Sequence, residues 1–463
     1  MRQALETEQK ALEINLDDNV YGTLAEIGAG QEVARNFFKV GAAAGTIAKT
    51  MSAYDKVVSD EIYGPEAHGR YVCESRLYKM LEHEWELIEG RLRKVRPETN
   101  FFVFADTVAT MNYQRTIKGD GWLGIRFQTS PASEPNDLVL HIKLLDNDTQ
   151  LQQQAVGKLG VNMVYACFRH QSDPETMLIS LMDGLHRRVN IDMVRLTGPD
   201  FAKLDNRLLS LWLIKHHMSE VAMFDPDKRN VHPSEFLYKK HVLVVRASFR
   251  PLTLLEEDMI EKGFEQFWHE PQVDGDQSFT MTEITLGNLT ENGPLDERDF
   301  LDRTELLCAL GQTVIISNCE QYQQLVAYFS DYRVTHLGLV LRAHRLSEFL
   351  TERYQQNAEG SLLAAFGEVF ARGVKLYVYP SVLADNTTLM TAQNLPLPEG
   401  SKYLYQHLLD HHQIVDIEGF DQGVMNIFAS DVLADIRSGK VGWEAMVPLK
   451  VAAVVKEKGL FGG

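Results

Sequence analysis

Cysteines are few in this sequence, and long apolar runs are absent. The four cysteines are widely spaced and form no C-x-x-C pair, so the sequence predicts neither a disulfide framework nor a cysteine-held metal site. No stretch approaches ~18 uninterrupted apolar residues, the length that a membrane-spanning helix needs. The first residues, MRQALETEQKALEINLDDN, are charged throughout and lack the apolar core of a secretory signal. We therefore expect a cytoplasmic protein with reduced thiols.

Basic residues are outnumbered by acidic ones. Lys and Arg number 46 against 64 Asp and Glu, which gives a formal net charge of −18 at pH 7. Such a field repels phosphate backbones and anionic lipids, so we expect neither nucleic acid nor a membrane as a partner. Net charge does not describe a single cleft, so a small anionic metabolite stays open as a partner.

Hydrophobic periodicity divides the 463 residues into three predicted parts. Residues 1–96 carry apolar residues at three- and four-residue spacing, which predicts a helical N-terminal region. Over 97–381, short β-branched and aromatic runs alternate with helical stretches, which predicts an α/β core with a largely parallel sheet. The alternation fits a TIM-like barrel or a doubly wound sheet, and of the two we prefer the barrel-like arrangement. It stops after residue 381, which predicts a helical C-terminal extension over 382–463.

Ten segments of the core are predicted strands, and helices are predicted between most of them. The strands are 101–107, 121–128, 138–146, 189–196, 220–225, 241–249, 279–286, 313–318, 335–341 and 374–380. The helices are 149–168, 174–187, 205–218, 253–268, 296–310, 319–331 and 345–372.

The stretch AEIGAGQEVARNFF, residues 25–38, has the form of a glycine loop that opens a helix. Gly28 and Gly30 match the first two glycines of a dinucleotide loop and the acidic-x-Gly-x-Gly start of many S-adenosylmethionine-dependent methyltransferases. Val33 stands where the third glycine belongs. Residues 35–60 show no second strand ending in Asp or Glu, which the surrounding βαβ unit requires. The sequence therefore favours a turn in which both glycines serve close packing, and it identifies no cofactor.

One short motif suggests phosphotransfer. His141, Lys143 and Asp148 have the H-x-K-x4-D spacing of the phospholipase D superfamily, in which His attacks phosphorus and Lys holds the phosphate oxygens. The motif occurs only once, and VGKLGVN stands where Gly-Ser usually follows. A buried strand with a polar end explains these residues better. No H-E-x-x-H pattern is present, so we predict no metal site.

Polar residues collect after the predicted strands, where parallel sheets and barrels place their active sites. Arg246, Ser248 and Arg250 in VVRASFRP end a buried apolar strand and are suited to bind a phosphate or carboxylate bidentately. Glu283 on the following strand is the available general base. Asn318 follows another strand and is a further ligand-binding candidate. The alternative is that strand ends are polar only because they meet solvent.

A resemblance covers nearly the whole chain. YGTLAEIGAGQEVARNFF, GTIAKTMSAYD, GWLGIRFQ, VVRASFRP and the C-terminal SGK and WEAMVP together resemble a broad family of bacterial proteins of similar length. Its members often carry the names nicotinate-nucleotide adenylyltransferase or TonB-dependent receptor. The chain has no (H/T)-x-G-H turn for ATP phosphates and no series of alternating membrane strands, so neither name fits its residues. The resemblance implies no activity.

Two hypotheses from different classes follow. The first is an enzyme that binds a small anionic metabolite, phosphorylated or nucleotide-like, through Arg246 and Arg250 with Glu283 as general base. The second is a non-catalytic scaffold in which the N-terminal region forms the interface of a homo-oligomer. Small-residue stretches such as GAAAGTIAKT, which allow close helix packing, motivate the second hypothesis.

Overall fold

The protein has an α/β fold and divides into two compact units. The computed structural model describes residues 4–67, 69–355, 361–370, 372–382 and 388–462. One unit is Met1–Ser219 and the other is Glu220–Gly463. A six-stranded sheet lies in the first unit, and a seven-stranded sheet and a two-stranded sheet lie in the second. Among the described residues, no helix combines the length and apolar character needed to cross a bilayer.

The first sheet is mixed. The elements of this unit are α1 (Thr7–Asn15), β1 (Val20–Gly28), α2 (Glu32–Lys39), β2 (Ile47–Ala53), α3 (Lys56–Tyr63), α4 (Glu74–Leu92), β3 (Asn100–Ala109), β4 (Gly119–Phe127), β5 (Asn136–Leu144), α5 (Thr149–Arg169), α6 (Pro174–Leu181), β6 (Val189–Thr197) and α7 (Asn206–Lys215). The strand order is β2-β1-β3-β4-β5-β6. β2, β1 and β3 are parallel, and the pairs from β3 to β6 are antiparallel.

Helices cover both faces of the first sheet. On one face, Val33 of α2 and Leu159 of α5 belong to a large buried apolar cluster. On the other, Leu77, Leu81 and Trp85 of α4 pack against the sheet. Their four-residue spacing places them on one side of α4, and each buried side chain of this kind contributes about 1.5–3 kcal/mol.

The second sheet is almost entirely parallel. The elements of this unit are β7 (Val221–Phe224), α8 (Pro233–Phe236), β8 (His241–Arg246), α9 (Leu254–Trp268), β9 (Ser278–Thr285), α10 (Leu286–Thr290), α11 (Glu297–Ala309), β10 (Thr313–Ser317), α12 (Tyr322–Asp331), β11 (His336–Arg342), α13 (Ala343–Gln355), α14 (Ser361–Phe370), β12 (Val374–Tyr379), β13 (Ser381–Val382), β14 (Leu389–Met390), α15 (Lys402–Asp410), β15 (Ile414–Asp416), α16 (Ala429–Ser438) and α17 (Leu449–Lys458). The strand order is β15-β12-β11-β8-β9-β10-β7, and only β7 pairs antiparallel.

Helices also cover both faces of this sheet. Leu243 of β8 lies next to Gly263 of α9 on one face. Val242 and Val244 belong to a buried cluster with Phe329 of α12 on the other. A strand covered on both faces has an almost continuous apolar sequence, which is why HVLVV reads as a buried strand.

The ten predicted strands are all present as β3 to β12, which confirms the α/β prediction with a largely parallel sheet. The barrel-like arrangement that we preferred is wrong for the described residues, because both large sheets are open. Helix 345–372 corresponds to α13 and α14, while residues 356–360 and 371 lie outside the described residues.

The N-terminal part is less helical than the sequence predicted. Residues 1–96 contribute β1 and β2 to the first sheet, in addition to four helices among the described residues. β1 is buried along almost its whole length, so it lacks the polar alternation by which a half-exposed strand is recognised. The predicted division into 1–96, 97–381 and 382–463 stays a prediction. The boundary between the two compact units falls inside the second of these parts.

Candidate functional site

The strand order of the second sheet creates a crevice between β8 and β11. From β8 the chain proceeds to β9 and β10 on one side, then crosses to β11, β12 and β15 on the other. The connections from β8 and β11 therefore leave the sheet in opposite directions. In open parallel sheets, ligands bind outside the carboxyl ends of the strands at such a point.

A cleft of about 1200 Å³ lies at this position, and we call it the β8–β11 cleft. Its lining includes the residues after both strands and the first turn of α9. The arginines that line it are Arg246, Arg250, Arg303, Arg342, Arg345 and Arg437. Because each guanidinium stays charged at neutral pH, the value of the cleft as an anion site depends on how many already have a carboxylate partner.

Arg246 is fully engaged within the protein. Its Nε and Nη2 donate to the two carboxylate oxygens of Glu283 at 2.7 and 2.9 Å. Nη1 donates to the Glu320 carbonyl at 3.2 Å, and the guanidinium lies over the Tyr322 ring. The Glu283 side chain is completely buried and also accepts from Ser317 Oγ at 2.6 Å. Glu283 thus holds Arg246 in place and has no surface on which to meet a ligand.

Arg250 and Arg303 share one carboxylate. Arg250 Nε donates to Asp299 Oδ1 at 2.6 Å, and Arg303 Nη2 pairs with Asp299 Oδ2 at 2.5 Å. Arg303 Nη1 also donates to the Ser248 carbonyl at 3.1 Å. Two guanidiniums and one carboxylate leave one positive charge in this group. The Ser248 backbone therefore positions an arginine, in addition to lining the cleft.

Arg342, the last residue of β11, differs from the other five. Arg437 also lacks a carboxylate partner among the described residues, but its Nε donates to the Phe461 carbonyl at 3.4 Å. The Nε of Arg342 is shielded from solvent without a hydrogen-bond partner, and its guanidinium makes no hydrogen bond or ion pair within the described part of the chain. Burial lowers its pKa, although the Glu256 carboxyl acts in the opposite direction. A partly desolvated guanidinium without a hydrogen-bond partner is unfavourable, because the water it has lost is not replaced.

Glu256 lies on the first turn of α9 and also lines the cleft. Its Oε2 accepts the backbone N–H of Thr253 at 2.9 Å, which completes a capping box at the start of the helix. Burial raises the pKa of this carboxyl to about 7, against the lowering effect of the Thr253 hydrogen bonds and of Arg342. A carboxyl that titrates near neutral pH is suited to general acid–base chemistry. The T-x-x-E signature of the capping box was readable in the sequence, but nothing there marked the burial.

The residues predicted from the second unit's sequence only partly come together. Arg246, Ser248 and Arg250 line the β8–β11 cleft, whereas Glu283 lies beneath it and Asn318 is not among its lining residues. The backbone N–H of Asn318 donates to the Glu220 carbonyl at 2.8 Å, beyond the end of β10.

The H-x-K-x4-D residues lie in the other unit and have structural contacts. His141 on β5 is buried, with Nδ1 2.6 Å from Asp192 Oδ1. Burial lowers the pKa of His141, but Asp192 and Asp120 together raise it to about 9. Asp148 caps α5 by accepting the N–H groups of the second and third residues after it. Lys143 lies two residues beyond His141 on β5. The positions of His141 and Asp148 are explained by an ion pair and a helix cap.

The glycine stretch forms the βαβ unit that the sequence analysis judged to be missing. β1, α2 and β2 follow one another, and β2 is parallel to β1. The expectation that the βαβ unit is missing was therefore wrong. β2 has an exposed centre and its sequence lacks a strand pattern, and it ends at Ala53 instead of at an Asp or Glu. Asp55, two residues beyond β2, caps α3.

Packing nonetheless explains both glycines. Gly28 has φ +89°, and a Cβ there would lie 2.1 Å from the Val108 carbonyl oxygen. A Cβ on Gly30 would lie 2.0 Å from Asp106 Oδ2. Asp106 is fully buried, and neither carboxyl oxygen has a hydrogen-bond partner in the described residues. Asp106 therefore occupies the space that a side chain at position 30 would need.

A cavity of about 230 Å³ lies beside this turn, at the carboxyl ends of β1, β2 and β3. Two of its lining hydroxyls, Ser59 Oγ and Tyr71 Oη, are shielded from solvent and have no hydrogen-bond partner among the residues described. Lys56 also lines it, with its ammonium 5.3 Å from the centre of the Tyr71 ring. No sequence pattern indicated these hydroxyls, since only the fold brings α3 and Tyr71 to the strand ends.

No protein-family description matches this chain, and no curated protein matches it. Among solved structures, the competence/damage-inducible protein CihA from Agrobacterium tumefaciens is 14% identical over 36% of this chain and 98% of that chain, with a TM-score of 0.26. A CinA superfamily protein from Klebsiella pneumoniae is 9% identical over 36% of this chain and 99% of that chain, also with a TM-score of 0.26. A competence or damage-inducible protein from Enterobacter asburiae is 12% identical over 35% of this chain and 96% of that chain, with a TM-score of 0.24. TM-scores this low carry no argument about the function of this chain.

Proposed function

We propose that the second unit binds a small anionic metabolite, phosphorylated or nucleotide-like, in the β8–β11 cleft, and that the protein is an enzyme acting on it. The observation that carries the proposal is Arg342, a partly buried arginine at the switch point of a parallel sheet. Its Nε is shielded from solvent, and its guanidinium has no hydrogen-bond or ion-pair partner among the described residues. A ligand anion would give this charge the partner it lacks. Glu256, rather than Glu283, is then the carboxyl placed to exchange a proton with the ligand.

Guanidiniums without a carboxylate partner, rather than a positive sum of the charges in the cleft, support an anion despite the net charge of −18. Arg246 is matched by Glu283 and Arg345 by Glu348, so neither pair adds a free charge. The Arg250, Arg303 and Asp299 group contributes one excess positive charge. Arg342 and Arg437, which have no carboxylate partner among the described residues, contribute two more. The remaining acidic lining residues offset these charges and limit how large a polyanion the cleft accepts; they are Glu256, Glu291, Glu320 and Glu352.

The test is calorimetric titration of the intact chain with inorganic phosphate, AMP and ATP. We expect at least one of these to bind, and Arg342→Ala to weaken binding by roughly tenfold or more, because a charge-assisted hydrogen bond contributes ~1.5–3 kcal/mol. Arg342→Lys keeps the charge without the planar fork and should fall between the two.

Arg229→Ala is the matched control. Arg229 belongs to the same unit, is mostly exposed and pairs with Asp225 and Asp227, away from the residues that line the cleft. Its loss should leave the affinity unchanged. Because Arg342 has no described partner to lose, Arg342→Ala should also fold with undiminished stability. Absence of binding by all three anions, or equal affinities for the wild-type and Arg342→Ala chains, would refute the proposal.

We infer a second candidate function from Ser59 and Tyr71. The cavity beside the glycine turn binds a small polar molecule that forms hydrogen bonds with their hydroxyls. Buried hydroxyls without partners are unfavourable in an empty cavity, and a bound molecule would compensate for them. The volume of about 230 Å³ limits the part of a ligand that enters to a few ring-sized groups.

Thermal denaturation with NAD, ATP, S-adenosylmethionine and adenosine tests this second candidate. Ser59→Ala and Tyr71→Phe remove only the hydroxyls, so they should abolish a ligand-induced rise in Tm while raising the ligand-free Tm slightly. Arg342→Ala distinguishes the two sites. A rise in Tm caused by a ligand in this cavity should persist in that variant, whereas one caused by a ligand in the β8–β11 cleft should be lost. If no ligand raises Tm, or if both hydroxyl variants keep the full shift, the cavity has no such role.

The cytoplasmic location, the absence of nucleic acid and membrane partners, and a homo-oligomer remain predictions from composition and sequence. Light scattering of the intact chain tests the oligomer directly. Deletion of residues 1–96 is unsuitable for this purpose, because it would remove β1 and β2 from the first sheet.

A further inference from the structure

The turn between β8 and α9 differs from the turn by which sheets of this strand order bind dinucleotides. Read from β8, the strands occupy the order 3-2-1-4-5-6 of the dinucleotide-binding fold. In that fold, glycines after the first strand let a pyrophosphate approach the N-terminus of the following helix. Here the turn is ASFRPLT, residues 247–253, and contains no glycine. Phe249 within it is completely buried, so its ring occupies space beneath the turn.

The N-terminus of α9 is already occupied by the protein's own side chains. Glu256 Oε2 accepts the Thr253 N–H at 2.9 Å, and Thr253 Oγ1 accepts the Glu256 N–H at 3.5 Å. Glu257 adds a second acidic residue to the same turn. The positive end of the helix is thus compensated internally. An incoming pyrophosphate would meet the Glu256 carboxyl instead of open N–H donors, whereas Glu257 is not among the residues that line the cleft.

The available positive charge lies instead at the end of β11, on Arg342. A guanidinium forms two parallel hydrogen bonds with two oxygens carried by one atom. A terminal phosphate or carboxylate presents such oxygens without a chain continuing on both sides. An internal pyrophosphate has a chain on both sides, so more of the ligand must enter the cleft than with a terminal group. The acidic residues in the lining disfavour this.

We infer, on the basis of the proposed function, that the β8–β11 cleft recognises a terminal oxyanion through Arg342 and rejects an internal pyrophosphate at α9. Phosphomonoesters and carboxylates share this chemistry. The sheet thus has the strand order of the dinucleotide-binding fold, but the turn after β8 lacks the glycines that bind a pyrophosphate. Its substrates are compact metabolites that end in one anionic group.

Competition among matched ligands tests the inference on the intact chain. AMP and ribose 5-phosphate carry a terminal phosphate, malate carries terminal carboxylates, and NAD carries only an internal pyrophosphate. We expect AMP and ribose 5-phosphate, or malate, to bind about tenfold or more tightly than NAD, with that advantage lost in Arg342→Ala. Binding of AMP and ribose 5-phosphate would identify the oxyanion as a phosphate, and binding of malate would identify it as a carboxylate.

A gain of function provides the second measurement. Glu256→Ala removes the carboxyl that caps α9, so NAD should gain affinity relative to AMP. Glu257→Ala changes the neighbouring acidic residue outside the capping box and should leave the ratio unchanged. NAD binding as tightly as AMP in an Arg342-dependent way would overturn the inference and leave the proposed anion site intact. Failure of every ligand to bind would overturn both.

Discussion

Buried carboxyl groups lie on central strands of both sheets, and the two sheets neutralise them differently. In the second sheet, Glu283 is held by two hydrogen bonds from Arg246 and one from Ser317. In the first, Glu26 and Asp106 are register partners on β1 and β3, and no cation compensates for them in the described residues. Burial raises the pKa of both, to about 7 for Glu26 and well above its usual range for Asp106. The second sheet thus stabilises a buried, charged carboxylate with an arginine. The first sheet favours the neutral, protonated form of its buried carboxyls.

The largest expected effect comes from breaking the paired arrangement. Glu283→Ala leaves Arg246 buried without its carboxylate and should lower the free energy of unfolding by about 3–5 kcal/mol in urea titrations. Replacing both partners with apolar residues, Glu283→Leu with Arg246→Met, should recover most of this loss, since no charge is then left unmatched. If the double variant is as unstable as Glu283→Ala, the unmatched charge on Arg246 is not the cause of the loss.

The protonated pair should produce a pH dependence of stability. A folded-state pKa raised from 4.5 to about 7 means that Glu26 favours folding fully below pH 4.5, and that this stabilisation is lost as pH rises to about 7. We expect the free energy of unfolding to fall by about 3 kcal/mol over this range, and urea unfolding from pH 4.5 to 8 measures it. Glu26→Gln should flatten this part of the profile, and Asp106→Asn should raise stability at pH 8. An unchanged profile in Glu26→Gln would assign the dependence to another group.

A smaller effect is expected where Asp106 meets the glycine turn. Gly30→Ala places a methyl group on the Asp106 carboxyl and should cost about 1–3 kcal/mol. Asp106→Ala removes the obstacle, so Gly30→Ala should cost much less in that background, which a double-mutant cycle measures. Gly90 in α4 has open space around its Cβ position, so Gly90→Ala is the control and should stabilise slightly. Equal costs of Gly30→Ala in both backgrounds would exclude the proposed clash.

The smallest effect is expected at an exposed ion pair of the second unit. Arg298 is mostly exposed and lies 3.6 Å from Asp302, so Arg298→Ala should change the free energy of unfolding by less than about 0.5 kcal/mol. The contrast with Glu283→Ala measures how strongly burial amplifies the loss of one partner. A large loss for Arg298→Ala would remove that contrast.

The sequence predicted the second sheet better than the first. Segments such as HVLVV and TVIIS are apolar without interruption because helices cover both faces, and that pattern survives in the sequence. β2 is an edge strand with an exposed centre, so IAKTMSA resembles part of a helix as much as a strand. The α/β prediction was sound, and the preference for a barrel was wrong because closure depends on edge pairing that no local pattern reveals.

The candidate site was predictable in location and less so in roles. The rule that polar residues matter at strand carboxyl ends led to Arg246, Ser248 and Arg250, which do line one cleft. It did not reveal that Arg246 is paired with Glu283, because the partner is 37 residues away and meets it only across the sheet. For the same reason, the unpartnered state of Arg342 becomes visible only in the structure.

The crossover from β10 to β11 has a consequence for folding. His241 of β8 lies beside His336 of β11 across 95 residues, whereas Arg246 meets Glu283 of β9 across 37. Closing the longer loop costs roughly 1 kcal/mol more in chain entropy, so β8 and β9 should pair first. During synthesis the order is the same, since β8, β9 and β10 leave the ribosome before β11. Until β11 arrives, the free edge of β8 is an unprotected backbone surface that chaperones or other nascent chains can reach.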